Sequence, residues 1–379
     1  MCLNQNHFSC DIFCRVIDNY GDAGVAWRLA VSLADEQGWK PRLVIDDLTT
    51  LSRLVPEIEP TCTTQRFGNV DIALWDDAFE ATVPKAPADV VIEAFSCYLP
   101  EKYEAAIAET AQKKPVAVIA LDYLTAEDYA ETSHALASPH PRYGYPKRFF
   151  FPGFTPKTGG IIREKLLMQQ HAQFDADNRR FALLKNLGAD PHHPFTLFFF
   201  TYPTTPVKEL ARQIAEDSRP TQIIMAPGEA SQNLAEALDA LAPPHVTYVH
   251  APMVPQRAFD ELLWACDALL VRGEDSAARA QLSGKPMLWT LYPQTENTHI
   301  TKLQAFAARY GMELTGCARQ MWLNLELGLN GAPFHPDAWR LWRDHFEDER
   351  DGAIGWMNYL SRQSSLTDRI SQMARLQLE

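Results

Sequence analysis

The amino-acid sequence predicts an α/β protein of two consecutive Rossmann-like domains, each built on a largely parallel sheet. Short runs of β-branched and aromatic residues alternate with helical patterns through the first half, and the alternation restarts in the second half. Such alternation is typical of βαβ units. A break rich in proline and histidine at 190–194 separates the two series. The chain of 379 residues, 46% of them hydrophobic, is long enough for two separate cores.

The first domain is predicted to cover residues 1–188. Its predicted strands lie at 9–16, 42–45, 70–75, 88–92 and 116–121. A helix predicted at 25–37 follows the first strand and repeats Val25, Leu29 and Leu33 every four residues. These three side chains therefore share one face of the helix.

The second domain is predicted to cover residues 189–362. Its predicted strands lie at 195–201, 222–225, 246–250, 268–272 and 286–291, with helices between them. The remaining chain has a helical pattern. Its final segment, 363–379, carries Leu366, Ile370 and Met373 on one side of a predicted helix.

The composition disfavours several classes of function. A net charge of −13 argues against general binding to nucleic acid or anionic lipid, since both require a surplus of Lys and Arg. No apolar run is long enough to span a membrane, and residues 1–7 lack the features of a signal peptide, so we expect a cytoplasmic protein. The seven cysteines include no Cys-x-x-Cys pair and the eleven histidines show no zinc spacing, so we expect no metal site.

Polar residues follow the first predicted strand, at the edge where open α/β sheets bind ligands. This segment contains Asp18, Asn19, Gly21 and Asp22, and it lacks the glycine spacing of the dinucleotide fingerprint. Two interpretations stay open. In the first, Asp22 caps the following helix and the glycine makes the turn. In the second, one aspartate acts as a base, with a pKa raised by the neighbouring carboxylate.

A second polar segment runs from Arg272 to Ser276, before a helix predicted to begin at Ser276. The segment suits a diphosphate, because Gly273 lets the backbone approach a ligand, Ser276 adds a hydroxyl and Arg272 adds a cation. Glu274 and Asp275 then either bind sugar hydroxyls or favour the positive end of the helix. A capping motif without a ligand is the alternative interpretation.

Aromatic residues lie near the ends of other strands in the second half. Phe200 and Tyr202 are suited to stack on a nucleotide base, and Tyr292 is suited to contact a base or a phosphate. Each of them alone is more often a packing residue. Their shared position at the carboxyl ends of strands favours a ligand site.

Taken together, these segments resemble one family, the elongation factor P arginine rhamnosyltransferases. The matching segments are 17–22, 27–30, 91–95, 151–154, 159–160, 270–276 and 292–294. The resemblance implies the GT-B fold, in which two Rossmann-like domains face each other across a cleft and a C-terminal helix returns to the first domain. It also implies inverting, metal-independent transfer of rhamnose from dTDP-β-L-rhamnose to an arginine of elongation factor P, with no further cofactor.

The same resemblance implies roles for single residues in the acceptor domain. Asp22 would be the catalytic base, Asp18 would support the acceptor, and Asn19 and Gly21 would lie near the sugar. The alternatives are another nucleotide-sugar transferase or an epimerase of the same architecture, an NAD-dependent oxidoreductase, and a non-catalytic protein that binds elongation factor P. The missing glycine fingerprint disfavours the oxidoreductase.

In the second domain, the resemblance implies a set of donor-binding residues. The implied residues are Phe200, Tyr202 and Gln256 for thymidine and Arg272, Glu274, Asp275, Ser276 and Tyr292 for ribose, diphosphate or rhamnose. Met253 stands where the family usually has an aromatic residue. Its thioether can pack on thymine, but we expect weaker stacking at that position.

Overall fold

A computed structural model describes residues 7–18, 20–82, 86–293 and 298–378 of the chain. The fold divides into two compact units, which we treat separately. The first unit comprises residues 1–165 together with 363–379, and the second comprises residues 166–362.

The first unit alternates strands and helices. Its elements are β1 (Ser9–Cys14), α1 (Tyr20–Gln37), β2 (Lys40–Ile45), α2 (Leu48–Leu54), β3 (Thr64–Phe67), β4 (Val70–Leu74), α3 (Asp77–Ala81), β5 (Val90–Ala94), α4 (Glu101–Ala111), β6 (Ala117–Leu121), α5 (Asp128–Ser133), β7 (Ala137–Pro139) and β8 (Pro146–Phe150). The five strands predicted in this half are all confirmed, as β1, β2, β4, β5 and β6. The strands missed are β3, β7 and β8, which are short and carry polar residues or proline.

In the described part of the first unit, the sheet has the strand order β3-β4-β2-β1-β5-β6-β8-β7. All neighbouring strands are parallel except the outer pairs β3–β4 and β7–β8. The central strands β1 and β5 are buried along almost their whole length, as expected for parallel strands that are covered on both faces. The chain passes outward from β1 to β2 and β4, and then returns to β5 on the other side of β1. The sheet therefore has a switch point between β1 and β5.

The second unit contains these elements along the chain: α6 (Leu167–Ala176), α7 (Arg179–Asn186), β9 (Thr196–Phe199), α8 (Val207–Glu216), β10 (Thr221–Met225), α9 (Glu229–Leu241), β11 (Val246–His250), α10 (Gln256–Ala265), β12 (Ala268–Arg272), α11 (Glu274–Leu282), β13 (Met287–Thr290), α12 (Thr298–Tyr310), α13 (Gly316–Leu329), α14 (Ala338–Asp344) and α15 (Phe346–Ser361). Its described strands form a parallel sheet of order β11-β10-β9-β12-β13. All five strands predicted in this half are confirmed. This sheet also reverses its strand order once, between β9 and β12.

The last helix, α16 (Leu366–Leu378), belongs to the first unit. Its buried residues Leu366, Ile370 and Met373 join the hydrophobic core that also contains Ile12 of β1 and Leu29 of α1. The side predicted to be apolar is thus the side that packs, and the expected return of a C-terminal helix to the first domain is observed.

The boundary between the units differs from the predicted one at 188/189. Residues 166–188 fold with the second unit because α6 and α7 pack on α10. The ring of His171 stacks on Trp264 at a centroid distance of 4.8 Å, and Arg180 donates to the carbonyl oxygen of Ala265 at 2.8 Å and to Asp267 at 3.1 Å. The proline-rich break at 190–194 therefore separates a helix from a strand inside one unit.

A buried ion pair joins α10 to α11 in the second unit. Arg279, whose side chain is 1% exposed, donates from Nε and Nη2 to the two carboxylate oxygens of Asp260 at 2.6 and 2.7 Å. Removing one partner of such a pair leaves an uncompensated charge in the interior. The pair therefore contributes to holding α11 in place.

We expect Asp260→Ala to destabilise the second unit by about 3–5 kcal/mol, the usual cost of breaking a buried ion pair from one side. Equilibrium unfolding in urea, followed by tryptophan fluorescence, measures the change. The matched control is Glu109→Ala, which removes an exposed i,i+4 pair with Lys113 and should leave the transition unchanged. Equal transitions for the two variants would contradict the prediction.

Candidate active site

The loop after β1 lies at the switch point of the first sheet, and Asp22 fixes its conformation. Asp22 is the third residue of α1, and the helix begins five residues earlier than the pattern at 25–37 predicts. Its Oδ2 accepts hydrogen bonds from the backbone N–H groups of Ile17 at 2.7 Å and Asp18 at 2.8 Å. Both donors precede the helix. Asp22 therefore holds the loop before the helix, and since the helix begins two residues earlier, Asp22 is not its N-cap.

The environment of Asp22 raises the pKa of its carboxyl above the ordinary value. Burial is the main cause, since the residue is 2% exposed, and the nearby carboxylate of Asp46 adds to it. Hydrogen bonds from the backbone of Ile17 and Asp18 and from the side chain of Tyr123 oppose the shift. The sequence pointed to a neighbouring carboxylate as the cause, whereas desolvation contributes most.

Three further residues contribute to the surroundings of this loop. Asp46, at the end of β2, accepts from the N–H of Val16 at 2.9 Å through Oδ1. Tyr123, after β6, hydrogen-bonds Asp22 and stacks on Phe95 at a centroid distance of 4.8 Å. Phe95 follows β5 directly and has a φ of 58°, a left-handed conformation that is uncommon outside glycine. Asp46 and Phe95 each follow a strand directly, which is a signal in the sequence for a position at the ligand-binding edge of the sheet. No local sequence pattern singles out Tyr123.

Asp18 and Gly21 lie beside Asp22, as the sequence predicts. The N–H of Gly21 donates to the carbonyl oxygen of Asp18 at 2.8 Å. A Cβ atom on Gly21 would lie 2.9 Å from Oδ2 of Asp18, so the glycine leaves room for that carboxylate. Asn19, the remaining candidate of this loop, lies outside the described residues.

In the second unit, the candidate residues gather at the switch point between β9 and β12. The guanidinium carbon of Arg272 lies 4.8 Å from the ring centroid of Phe200 and 4.6 Å from that of Tyr202. Tyr202 also meets Tyr292 edge to face at 5.6 Å. The three aromatic residues and the arginine therefore form one cluster, in which the rings orient the cation.

The backbone turns sharply after Arg272. Gly273 has a φ of 65°, which an L side chain rarely adopts, and α11 begins at Glu274 rather than at Ser276 as predicted. The three polar residues Glu274, Asp275 and Ser276 thus form the first turn of the helix. The backbone N–H groups in the first turn of a helix have no acceptor inside the helix, so they are able to bind a ligand and favour an anion.

The two acidic residues of this turn are held by other side chains. Oε1 of Glu274 accepts from Nζ of Lys302 at 2.8 Å. Asp275 is buried, and its Oδ2 accepts from Nε2 of the buried Gln256 at 3.0 Å. Lys302 is a residue that sequence reasoning missed, since it lies on a distant helix. Its charge offsets that of Glu274 at the start of α11.

Met253 and Tyr292 are the exposed members of the predicted donor set. The side chain of Met253, in the segment between β11 and α10, is 41% exposed, and Tyr292, just after β13, is 52% exposed. Gln256, by contrast, is 6% exposed and belongs to the network around Asp275. Tyr292 is thus an accessible member of the cluster, whereas Gln256 is buried and held by its hydrogen bond to Asp275.

The two sites differ in their chemistry. The loop after β1 presents the Asp22 carboxyl, whose pKa is raised by burial, and this suits proton transfer from an acceptor. The cluster around Arg272 presents aromatic faces, a guanidinium and a helix start, which suits a nucleotide diphosphate. Over the described ranges, no group of three or more His, Cys, Asp or Glu side chains is arranged to hold a metal ion. Within the same ranges, no helix combines the length and apolar character that crossing a membrane requires.

Comparison with known proteins identifies close relatives along nearly the whole chain. Residues 10–375 match the family model described as Elongation-Factor P (EF-P) rhamnosyltransferase EarP. A protein-arginine rhamnosyltransferase of Pseudomonas putida is 40% identical, over 91% of this chain and 93% of the relative. One of Pseudomonas aeruginosa is 36% identical, over 96% and 98%. The solved structure described as the structural basis for EarP-mediated arginine glycosylation of translation elongation factor EF-P is 27% identical, covers 98% of this chain and 100% of its own, and has a TM-score of 0.65.

Two Rossmann-like units, each with one switch point, together with the structural match give the chain the GT-B architecture of glycosyltransferases. The predicted fold class is confirmed. The chain belongs to the EarP family of EF-P rhamnosyltransferases, which confirms the resemblance seen in its sequence. It is therefore an enzyme that transfers a sugar.

We expect Gly21→Ala to lower turnover about tenfold, because the added Cβ must displace the carboxylate of Asp18, and small misplacements in an active site are costly. The melting temperature should not fall, since alanine favours a helix over glycine. Initial rates of rhamnose transfer and a thermal melt provide the two measurements.

The matched control is Gly316→Ala, at the start of α13, where a Cβ would meet no atom within 4 Å. This variant should keep full turnover. Full turnover in Gly21→Ala as well would show that the position of Asp18 does not matter for the reaction.

Proposed function

We propose that this enzyme transfers rhamnose from dTDP-β-L-rhamnose to an arginine side chain of translation elongation factor P, with Asp22 as the general base and no metal ion. The proposal extends the family assignment to a donor, an acceptor and a base. Relatives named protein-arginine rhamnosyltransferase, 36–40% identical over most of the chain, support the acceptor group. The solved relative, described as glycosylating EF-P on arginine, supports the acceptor protein.

The observation that carries the assignment of the base is the environment of Asp22. The carboxylate is buried at the switch point, is held by two backbone N–H groups, and has a raised pKa. A raised pKa makes a carboxylate a stronger base, provided that it is ionised at the working pH. Asp18, whose carboxylate lies against Gly21, would help to orient the positively charged acceptor.

An arginine acceptor needs such a base. The guanidinium group keeps its proton in proteins, and its lone pairs are delocalised. In the proposed step, a guanidinium nitrogen forms a bond to C1 of rhamnose while the bond from C1 to the diphosphate oxygen breaks. The nitrogen gives one proton to Asp22, so the glycosylated guanidinium keeps its positive charge. Attack opposite the departing dTDP inverts the anomeric centre.

The cluster around Arg272 would bind the donor. Phe200 and Tyr202 would stack on thymine, Met253 would pack against it, and Gln256 would support the base. Arg272, Ser276 and the N–H groups at the start of α11 would stabilise the charge that develops on the diphosphate as it leaves. Glu274, Asp275 and Tyr292 would contact the sugars.

Intact-mass analysis tests the donor and the acceptor together. Elongation factor P incubated with this enzyme and dTDP-rhamnose should gain the mass of one deoxyhexose. The gain should vanish when the target arginine is replaced by lysine, and it should persist in the presence of EDTA. A gain on the lysine variant, or from UDP-sugars alone, would refute the proposed reaction.

We expect Asp22→Asn to reduce turnover by roughly 10²–10⁴-fold, the usual contribution of a general base. Its stability at neutral pH should equal or exceed that of the wild type. The pKa of Asp22 is raised in the folded state, so the folded protein binds a proton at this carboxyl more readily than the unfolded chain does. As the pH rises above that pKa, the buried carboxyl becomes charged and the free energy of unfolding falls. Asparagine removes the charge and keeps an oxygen to accept from Ile17 and Asp18.

Single-turnover rates and thermal melts measure these two effects. A stable Asp22→Asn variant that retains turnover would rule Asp22 out as the base. The wild type should lose turnover as the pH falls through the raised pKa, and the variant should not show that acidic limb.

A further inference from the structure

Two tryptophans of the second unit donate their indole N–H to backbone carbonyls inside one aromatic cluster. Trp289, on β13, donates to the carbonyl oxygen of Gly273 at 2.8 Å. Trp322, on α13, donates to that of Met287 at 2.8 Å. Both side chains are almost fully buried, and each meets Phe306 edge to face. Both are indole-to-carbonyl hydrogen bonds of the same length, but their acceptors lie in different segments, before α11 for Trp289 and on β13 for Trp322.

The bond from Trp289 ends at the turn that begins α11. The carbonyl of Gly273 and the N–H of Glu274 belong to one planar trans peptide, so they point in opposite directions. Because the carbonyl points to the indole, the N–H of Glu274 points away from Trp289. Gly273 is the N-cap of α11, so its carbonyl oxygen also accepts the first hydrogen bond of the helix, and the indole N–H is a second donor that holds the same peptide.

Neighbouring contacts keep Trp289 itself in position. Its backbone N–H donates to Oε1 of the fully buried Glu326 at 2.7 Å. The hydroxyl of the next residue, Thr290, donates to the carbonyl oxygen of Val271 at 3.1 Å. Two consecutive side chains of β13 thus hold the end of β12 and the turn after it. Trp322 has no such bond to the turn in the described part of the chain.

We propose that Trp289 is a positioning residue for the diphosphate of the nucleotide-sugar donor. Its indole fixes the peptide between Gly273 and Glu274, so that the N–H groups at the start of α11 are oriented before the donor binds. Orientation in advance avoids an entropic cost on binding. This inference rests on the proposed function, because it requires the diphosphate to bind at α11. Trp289 itself does not touch the donor in this scheme.

Trp289→Phe tests the inference, because it removes the N–H and keeps an aromatic side chain. Affinities for dTDP and for thymidine are measured by titration calorimetry and ligand-observed NMR. The variant should bind dTDP about three- to tenfold more weakly than the wild type, the scale of one lost hydrogen bond, and thymidine equally well. The KM for dTDP-rhamnose should rise accordingly, while the KM for elongation factor P stays unchanged.

The matched control is Trp322→Phe, which removes an equally buried indole N–H from the same cluster. It should leave the ratio of the two affinities unchanged. Should Trp289→Phe fail to fold, benzothienylalanine at position 289 removes only the N–H donor and gives the same readout.

The outcomes separate the inference from the proposed function. An unchanged ratio of dTDP to thymidine affinity in Trp289→Phe, or an equal change in Trp322→Phe, would overturn the role of Trp289 and leave the reaction standing. A wild-type enzyme that binds no dTDP would overturn the proposed donor, and the role of Trp289 with it.

Discussion

The single reversal of strand order among the described parallel strands of each sheet is the constraint on which the candidate residues depend. Loops that leave neighbouring strands in opposite directions open a crevice at the carboxyl edge of a parallel sheet. The reversals lie between β1 and β5 in the first unit and between β9 and β12 in the second. Asp22 follows β1 and Arg272 ends β12, so both stand at such a crevice. Between the other neighbouring parallel strands that the structure describes, successive connections run in the same direction.

An acidic protein can bind an anion if local groups supply the attraction. With a net charge of −13, this chain has no overall positive field to draw a diphosphate. The second unit instead gathers Arg272 on two aromatic rings and pairs Glu274 with Lys302, so that the acid beside the helix start is offset. The attraction that Arg272 and Lys302 exert on an anion acts over a short range and is confined to their surroundings.

The segments that carry the candidate residues were predictable, because they come after strands and the pattern of a strand is visible in a few consecutive residues. The contacts between separate helices, strands and loops were not predictable. Nothing beside Asp22 in the sequence shows that its donors precede the helix, or that Tyr123, about a hundred residues away, would bond to it. The domain boundary was misplaced for the same reason, since Arg180 belongs to the second unit through partners more than eighty residues later. Such pairs arise only when the chain is folded.

The placement of α16 affects how the protein can be made. Its side chains Leu366, Ile370 and Met373 complete the core of the first unit, yet they follow the whole second unit in the chain. A ribosome releases residues from the N-terminus onward, so the first sheet emerges with part of its apolar surface uncovered. That surface stays uncovered until α16 has been synthesised. The first unit therefore begins to emerge before the second unit, but its core can be completed only after the second unit has been made.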